Sequence, residues 1–311
     1  MKNITYNIVV KMSDLVDVKS PYFTALFEPG RQDRSIQEYD LVRVAPDCSE
    51  APASIDAAPN LTFQIQDRDG IYLPSEAYLE LQVQLNDGAT PPVALTTVKH
   101  ALINGWSLFR YAQFRIDNRI VEEKNESGLG ALIRALVDFT PDYAQSLATA
   151  SHFYKDTGDG GDGRAITDIN YLPLATYNDG FFKRNAICDG NNAFTITIPM
   201  RDIFGYLKHT SKISYGNTLV FDLQRQTDYK RIIHNTAAES GVVQLTKAVM
   251  WIPKIRPDDL TKGELEAQLA SGLSTIVPFY DWKMYDYSIP NASTDVNWDI
   301  GSLPSKPVRV V

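Results

Sequence analysis

A cluster of polar side chains between residues 201 and 209 has the types that acid–base catalysis uses. The cluster comprises Arg201, Asp202, Lys208 and His209, and strands with alternating apolar and polar residues are predicted on both sides of it. A carboxylate, an imidazole and cations are common general acids, general bases and charge stabilisers. The same stretch, MRDIFGYLKH, also places Ile203, Phe204 and Leu207 at helical spacing. We therefore interpret it as a short helical corner with the four polar side chains on its solvent side.

The stretch KDTGDGGDGRAITD is the densest in glycine. Gly158, Gly160 and Gly163 have the G-x-G-x-x-G spacing of a dinucleotide-binding loop, but no strand leads into the stretch and no helix follows it. The aspartates between these glycines would repel a pyrophosphate. Neither the EF-hand pattern nor a repeated glycine–aspartate nonapeptide is present. We predict a surface loop near residues 156–168, and whether it binds an ion stays open.

The remaining reactive residue types lack the spacing of a known site. The four histidines, at 100, 152, 209 and 234, include no metal-binding pair, and Cys48 and Cys188 fit neither a disulfide framework nor a zinc site. Nucleophile-elbow and phosphate-loop motifs are missing from the sequence. We therefore predict no catalytic residue, no cofactor, no metal and no enzyme activity, and we expect two free thiols.

One alternative function remains open beside this prediction, and a second is ranked last. Paired carboxylates of a glycosidase meet in space rather than in sequence, and the chain holds 16 Tyr, 13 Phe and 4 Trp that could stack on sugars. A carbohydrate-binding or carbohydrate-active jelly roll is therefore possible. The formal net charge of −8 argues against nucleic-acid binding, which needs a basic surface to neutralise phosphates. The sequence also predicts neither a transmembrane segment nor a secretion signal.

Strict alternation of apolar and polar residues predicts strands along most of the chain. Clear examples are LTFQIQD and YLELQVQL, and QFRID is followed by the turn pair Asp117–Asn118. VVQLTKAVMWIP is predicted to place Val243, Leu245, Val249 and Trp251 on one face. Many short strands with few helices favour an all-β fold, an antiparallel jelly-roll sandwich with short inserted helices.

Two segments have the helical period instead. In SGLGALIRALVDFTPD a single stripe is formed by Leu129, Leu132, Ile133, Leu136 and Val137. Ser127 is predicted to cap this helix, near 128–140, and the apolar stripe is predicted to pack over a sheet. RPDDLTKGELEAQLASG is a second predicted helix, with an acidic first turn that suits the helix dipole.

These elements suggest three regions. Residues 1–57 have little periodicity and are predicted to be an N-terminal arm. Residues 58–255 hold the predicted jelly roll with its inserted helix and loop. Residues 256–311 hold a connecting helix and further strands, and the final VRVV leads us to expect a chain that is cut short.

The order of these elements resembles the first jelly roll of the double jelly-roll major capsid proteins of the adenovirus-hexon lineage. The likeness is greatest to those of Polinton elements, adintoviruses, virophages and large nucleocytoplasmic DNA viruses. Two stretches carry it: INGWSLFRYAQFRIDNRIVEE (residues 103–123) and ITIPMRDIFGYLKHTSKISYGNTLVFDLQR (residues 196–225). The resemblance covers roughly residues 60–280, and IPMRDIFGY is its most specific part.

The resemblance implies a structural role without catalysis. It implies a homotrimer of pseudo-hexameric outline that tiles an icosahedral shell around double-stranded DNA, in the virion, after assembly in the host cytoplasm or nucleus. Neighbouring capsomers and penton or minor capsid proteins would be the partners, with no specific nucleic-acid binding. It also implies a second jelly roll, of which residues 256–311 would be the start. A single-jelly-roll minor or penton capsid protein is the alternative within this class.

Overall fold

The computed structural model describes residues 36–86, 100–156, 179–188, 193–235, 242–272 and 277–284. The strands are β1 (Ile36–Val44), β2 (Asn60–Ile65), β3 (Ile71–Tyr72), β4 (Tyr78–Asn86), β5 (His100–Leu102), β6 (Phe109–Ile116), β7 (Arg119–Asn125), β8 (Phe194–Pro199), β9 (Ser214–Tyr215), β10 (Leu219–Arg225), β11 (Ile233–Asn235) and β12 (Val242–Pro257). The α-helices are α1 (Pro52–Ala57), α2 (Ser127–Asp138), α3 (Pro141–Gln145), α4 (Asp179–Cys188), α5 (Met200–Ile203), α6 (Gly205–His209) and α7 (Asp259–Ala270).

The chain divides into two compact units. The larger unit holds residues 40–255 and 274–311, and the smaller unit holds residues 1–39 and 256–273. Within the smaller unit, α7 confirms the predicted second helix. Its N-cap is Asp258, whose carboxylate accepts a hydrogen bond from the Thr261 amide at 2.8 Å. None of the helices among the described residues is long and apolar enough to cross a membrane.

The long strands pair as one hairpin that is folded over on itself. The innermost pair is β6 with β7, followed outward by β4 with β8, β2 with β10, and β1 with β12. Folding this hairpin over brings β12 beside β4 and β10 beside β6. The result is two four-stranded sheets in the orders β1-β12-β4-β8 and β2-β10-β6-β7, and the short strands β3 and β9 join the first sheet through β12. This nested order is a jelly roll, which confirms the predicted fold class.

The inner faces of the two sheets form a single core. The predicted inward rows are confirmed in β2, β4, β8 and β10, where every second side chain is buried. Aromatic rings link the layers: the rings of Phe114 and Phe221 have centroids 4.8 Å apart. The predicted turn Asp117–Asn118 joins β6 to β7, and both residues have positive φ, 49° and 64°. That is the backbone of a two-residue type I′ hairpin turn, which favours Asp and Asn.

A β-bulge in β12 makes one predicted strand face wrong. The register with β4 shifts between Leu245 and Lys247, so Thr246 is an extra residue in β12. Beyond it the side chains of the inter-sheet core cluster are Ala248, Met250 and Ile252. Val249 is also buried, at 1% exposure, but lies outside that cluster, and Trp251 is half-buried. The Trp251 indole instead donates a hydrogen bond to Glu80 at 2.9 Å. Alternation that is counted across a bulge predicts the wrong face, because the extra residue moves all later side chains to the opposite face of the strand.

The jelly roll also begins earlier than predicted. Strand β1 and helix α1 both lie inside residues 1–57, which the sequence predicts to be an arm. Most side chains of β1 are exposed, so the segment lacks the alternation that marks a strand with one buried face. Pairing with β12 makes β1 the first strand of the fold, and the roll therefore spans β1 to β12.

Helix α2 lies where the sequence predicts a helix, but it buries the opposite face. Its buried residues are small: Ser127, Gly128, Gly130, Ala131 and Ala135. The predicted stripe is left largely at the surface, as described below. Ser127 is also not the cap, because its hydroxyl donates to the Phe109 carbonyl at 2.9 Å and Glu126 occupies the N-cap position. Small residues allow the helix backbone to approach the sheet closely, and the large side chains then point outward.

Three predicted features lie outside the described residues. They are the glycine-rich loop from residue 157 onward, residues 1–35 of the arm, and the strands predicted after residue 284.

Candidate interaction site

The helical corner predicted after β8 is present. Pro199 ends β8, α5 begins at Met200, and α6 follows directly at Gly205. The apolar side chains of the corner enter the core, and the ring of Phe204 has its centroid 5.9 Å from that of Phe114. The corner therefore packs into the core between the two sheets. Two further elements cover the side of the corner that faces away from the core.

The first covering element is β7, which carries two buried charges. Glu122 and Lys124 are one alternation apart, and both side chains are fully buried. The Glu122 carboxylate accepts hydrogen bonds from the backbone amides of Gly205 and Tyr206, each at 2.9 Å, at the start of α6. It also forms an ion pair with Lys124. A carboxylate with two amide donors and a cation is well compensated, so this buried charge is stably held.

The second covering element is the segment 277–284, which we call the strap. The Lys124 ammonium forms an ion pair with Asp281 and donates to the Trp282 carbonyl at 2.8 Å. It also lies 4.3 Å from the centroid of the Trp282 ring, which is cation–π geometry. Lys124 is therefore the centre of the contact, since it binds β7 on one side and the strap on the other.

Aromatic side chains of the strap also contact α6. The Phe279 ring meets that of Tyr206 edge-on with centroids 5.4 Å apart, and the Tyr280 ring meets that of His209 at 5.3 Å. The strap thus makes aromatic contacts to α6 and charged contacts to Lys124 of β7.

Two glycines leave the space that the strap occupies. A Cβ atom on Gly130 of α2 would overlap the Trp282 ring, and a Cβ atom on Gly205 would overlap the Tyr280 carbonyl. The three heavy atoms nearest to a Cβ at Gly130 all belong to Trp282. We call this space, bounded by Glu122, Lys124, Gly130 and Gly205, the slot.

Asp202 contradicts the prediction that the four polar residues of the corner are solvated. It is only 6% exposed, and its Oδ2 has no hydrogen-bond partner among the described residues. Burial raises the pKa of Asp202 to about 6, although the nearby Arg134 guanidinium acts in the opposite direction. Arg134 itself donates to the Asp202 backbone carbonyl at 2.6 Å. The carboxyl is thus a buried group held beside a cation on α2.

The other three members of the predicted cluster have separate structural roles. Arg201 is exposed, Lys208 forms an ion pair with Asp138 at 3.4 Å, and the His209 Nδ1 atom lies 2.9 Å from the Gly205 carbonyl. Among the described residues no hydrogen bond or ion pair joins any two of the four. The structure therefore does not assemble them into a catalytic group.

A buried thiol and imidazole lie close together elsewhere in the molecule. The Cys188 Sγ atom is 3.7 Å from the His152 Nε2 atom. Burial raises the pKa of Cys188 to about 12 and lowers the pKa of His152 to about 3. Both groups are therefore neutral at pH 7, and a neutral thiol is a poor nucleophile. The pair packs as part of the interior.

A polar groove of about 340 Å³ lies on the outer face of the β2-β10-β6-β7 sheet. Its lining includes two carboxylates, Asp47 and Asp117, but no aromatic residue. Asp117 is already engaged, because its carboxylate accepts from the Thr218 amide at 2.8 Å. A carbohydrate site of the expected kind needs paired carboxylates beside exposed aromatic rings, and this groove does not provide them.

A group of exposed apolar side chains lies on and beside α2. Leu129, Leu136 and Val137 are 41%, 48% and 38% exposed, and Leu147, which follows α3, is 61% exposed. Three apolar side chains on one helix face, none of them buried, form an unusual surface for an isolated protein. Sequence periodicity identified this stripe correctly but predicted that it faces the sheet.

Sequence reasoning did not identify the groups that carry the charged contact. Glu122 and Lys124 lie in RIVEEKN, which has the composition of a solvated strand, and Trp282 lies far away in sequence. The only local signal is the spacing of Glu122 and Lys124, which puts both on one face of β7. Whether that face is inner or outer depends on tertiary packing.

Neither the protein-family models nor the curated proteins include a match to this chain. Among solved structures, the chain is similar to one in the cryo-EM structure of the Sputnik virophage, with 11% identity, 75% of this chain and 51% of that chain covered, and a TM-score of 0.47. The mavirus major capsid protein gives 11% identity, 75% and 50% coverage and a TM-score of 0.37. The Faustovirus major capsid protein gives 10% identity, 78% and 58% coverage and a TM-score of 0.37. The chain spans about half the length of these structures.

Proposed function

We propose that this chain is a structural subunit of a viral capsid and that it assembles with other copies of itself. The observation that carries the proposal is the exposed apolar stripe of α2, formed by Leu129, Leu136 and Val137. This stripe lies on a helix inserted between β7 and β8 of the jelly roll, and that helix contributes Ala131 and Ala135 to the core while the three stripe residues stay at the surface. Large side chains on such a helix gain little for the monomer, whereas burying them between subunits is favourable.

The finer form of the proposal follows the resemblance of the two sequence stretches quoted above. The subunit would form a homotrimer of pseudo-hexameric outline in an icosahedral shell around double-stranded DNA. It would meet neighbouring capsomers and penton or minor capsid proteins in the virion, after assembly in the host cytoplasm or nucleus. Helix α7 would connect this jelly roll to a second one, and no step of this role requires catalysis.

Substitution of Leu136 by Glu tests whether the stripe is the contact between copies. Light scattering over a concentration series is expected to give a mass near three times 34.8 kDa for the unchanged chain. The introduced carboxylate would be solvated in a monomer but would be an unpaired buried charge in an interface. We therefore expect Leu136→Glu to shift the chain to monomer with unchanged circular dichroism.

A matched control is Leu260→Glu, because Leu260 on α7 is 72% exposed and lies outside the stripe. It is expected to assemble like the unchanged chain. A monomer at every concentration, or equal behaviour of the two variants, would contradict the proposal.

A further inference from the structure

The strap makes a larger and more specific contact than covering the corner would require. It supplies a carboxylate, a backbone carbonyl and an indole ring to a single buried ammonium, that of Lys124. The Arg134 guanidinium lies 5.8 Å from the centroid of the same indole, so two cations face the Trp282 ring. A buried ammonium needs compensating groups, and Glu122 alone would leave it with a single partner on one side.

The walls of the slot do not include any residue of the strap. Its walls come from β7, α2 and α6, which belong to the jelly roll, and the close approach depends on the missing side chains of Gly130 and Gly205. Glycine in the middle of α2 costs helix stability, roughly 1 kcal/mol relative to alanine. Glycine at position 130 is explained if the space beside it must hold the Trp282 ring.

The strap itself has no secondary structure of its own. Residues 277–284 form neither helix nor strand, and none of them is fully buried. Its specific contacts to the corner are side-chain contacts made by Phe279, Tyr280, Asp281 and Trp282, together with the Trp282 carbonyl. A segment that is held by a few anchor side chains in a preformed site has the character of a bound peptide.

We propose that the slot is a peptide-binding site and that the strap is its separable ligand. The site selects an aromatic–acidic segment of the type Phe-Tyr-Asp-Trp, in which the carboxylate meets Lys124 and the indole fills the space over Gly130. The strap opens and closes without unfolding of the strands, and the slot keeps its shape when the strap is absent. This inference does not depend on capsid assembly, and it holds or fails for the single chain.

Binding of the strap peptide in trans tests the proposal on the full-length chain. A variant with Phe279, Tyr280 and Trp282 changed to Ala and Asp281 to Asn has its own strap disabled. Fluorescence polarisation with a labelled peptide of residues 277–284 is expected to show saturable binding to this variant. Binding to the unchanged chain is expected to be at least tenfold weaker, because its slot is occupied.

The matched control adds Gly130→Leu to the strap-disabled variant. The introduced isobutyl side chain then occupies the space left by the Trp282 ring, so peptide binding is expected to fall at least tenfold. Equal binding with and without Gly130→Leu, or no binding to a strap-disabled variant that still unfolds cooperatively, would overturn the proposal.

A double-mutant cycle keeps the proposal testable if the strap-disabled variant does not fold. Gly130→Ala is expected to lower the unfolding midpoint of the unchanged chain, because the new methyl group overlaps the Trp282 ring. In a Trp282→Ala background the same change is expected to raise the midpoint, since alanine favours the helix. A change of the same sign in both backgrounds would refute the fitted slot.

Discussion

His152 and Asp202 are both buried, and burial affects their protonation in opposite senses. Burial favours the neutral form of each group, which lowers the pKa of His152 to about 3 and raises the pKa of Asp202 to about 6. For His152 the nearby Arg184 cation acts in the same direction, whereas for Asp202 the Arg134 cation opposes burial. The two residues therefore contribute opposite slopes to the pH dependence of stability.

Substitution of Asp202 by Asn is expected to stabilise the chain at neutral pH. Between pH 3.8 and about 6 the folded chain keeps a proton that the unfolded chain releases, so the free energy of unfolding falls as pH rises. Asn carries no charge and avoids this loss. We expect the variant to gain about 1–3 kcal/mol over the unchanged chain at pH 7.5, and little at pH 4. Urea unfolding at both pH values measures the difference.

The exposed carboxylate Asp69 provides the control for this prediction. Asp69→Asn is expected to change the free energy of unfolding by less than about 0.5 kcal/mol at either pH. A gain from Asp202→Asn that does not depend on pH would show that the carboxyl is not the cause.

Substitution of His152 by Asn is expected to reduce acid sensitivity. Between pH 6.5 and about 3 the unfolded chain binds a proton at His152 and the folded chain does not, so stability falls as pH falls, by about 1.4 kcal/mol per pH unit. Asn also tolerates the positive φ of 58° at this position. The difference between the two proteins in urea unfolding should shrink from pH 7 to pH 4, and a constant difference would contradict the assignment.

The environments of individual side chains were the feature least well predicted from the sequence. The helical spacing of Ile203, Phe204 and Leu207 correctly predicts the corner, but the polarity of Asp202 wrongly predicts exposure. Polar residue type indicates the average environment, and the actual one depends on which elements pack around the residue. In this molecule α2 and its Arg134 cover Asp202, and the residues next to Asp202 in the sequence give no indication of that contact.

At the scale of elements, β7 depends on Glu122 more than on Lys124. Glu122 holds the Gly205 and Tyr206 amides as well as Lys124. Glu122→Leu removes all three interactions and is expected to cost about 3–5 kcal/mol. Lys124→Met removes the contacts to Asp281 and Trp282 but leaves the Glu122 carboxylate with its two amide donors, so it is expected to cost less than Glu122→Leu. Chemical denaturation measures the loss of unfolding free energy in both variants. A loss for Lys124→Met that equals or exceeds the loss for Glu122→Leu would show that the ammonium has the main role.

The elements themselves were largely predictable, whereas their orientation was less so. Alternation predicts β2, β4, β8 and β10 with the correct inward faces, because each is half buried and free of bulges. The prediction for β12 is wrong beyond Thr246 because a bulge inverts the phase, and a bulge leaves no clear signal in the residue types. The prediction for α2 is wrong in orientation because the small residues, rather than the leucines, approach the sheet.

At the scale of the whole molecule, β1 is part of the fold rather than a removable arm. A chain that begins at residue 58 lacks β1 and exposes the edge of β12 with which it pairs. Unpaired edge strands associate with one another, so we expect this chain to aggregate on light scattering. A chain that begins at Ile36 keeps β1 and is the comparison. Equal solubility and equal unfolding midpoints of the two chains would show that β1 is a removable arm.

The jelly-roll class could be predicted from strand spacing, but the pairing that defines it could not. Sequence shows where strands lie, and it carries no direct sign that β1 meets β12 or that β2 meets β10. Those partners are separated by about half of the chain or more, and their contact follows from burying two half-apolar sheets against each other. The same limit applies to the strap, whose partner Lys124 precedes it by more than half of the chain.

The nested pairing has a consequence for the order in which a ribosome can complete the molecule. The hairpin of β6 and β7 can close as soon as residue 125 has emerged, but β4 must wait for β8, β2 for β10, and β1 for β12. Among the described strands, the first to be synthesised is thus the last to find its partner. Until then its backbone edge is open to other nascent chains, including copies from the same message. The charged side chains of β1, at Glu38, Asp40 and Arg43, disfavour pairing with another chain during that interval.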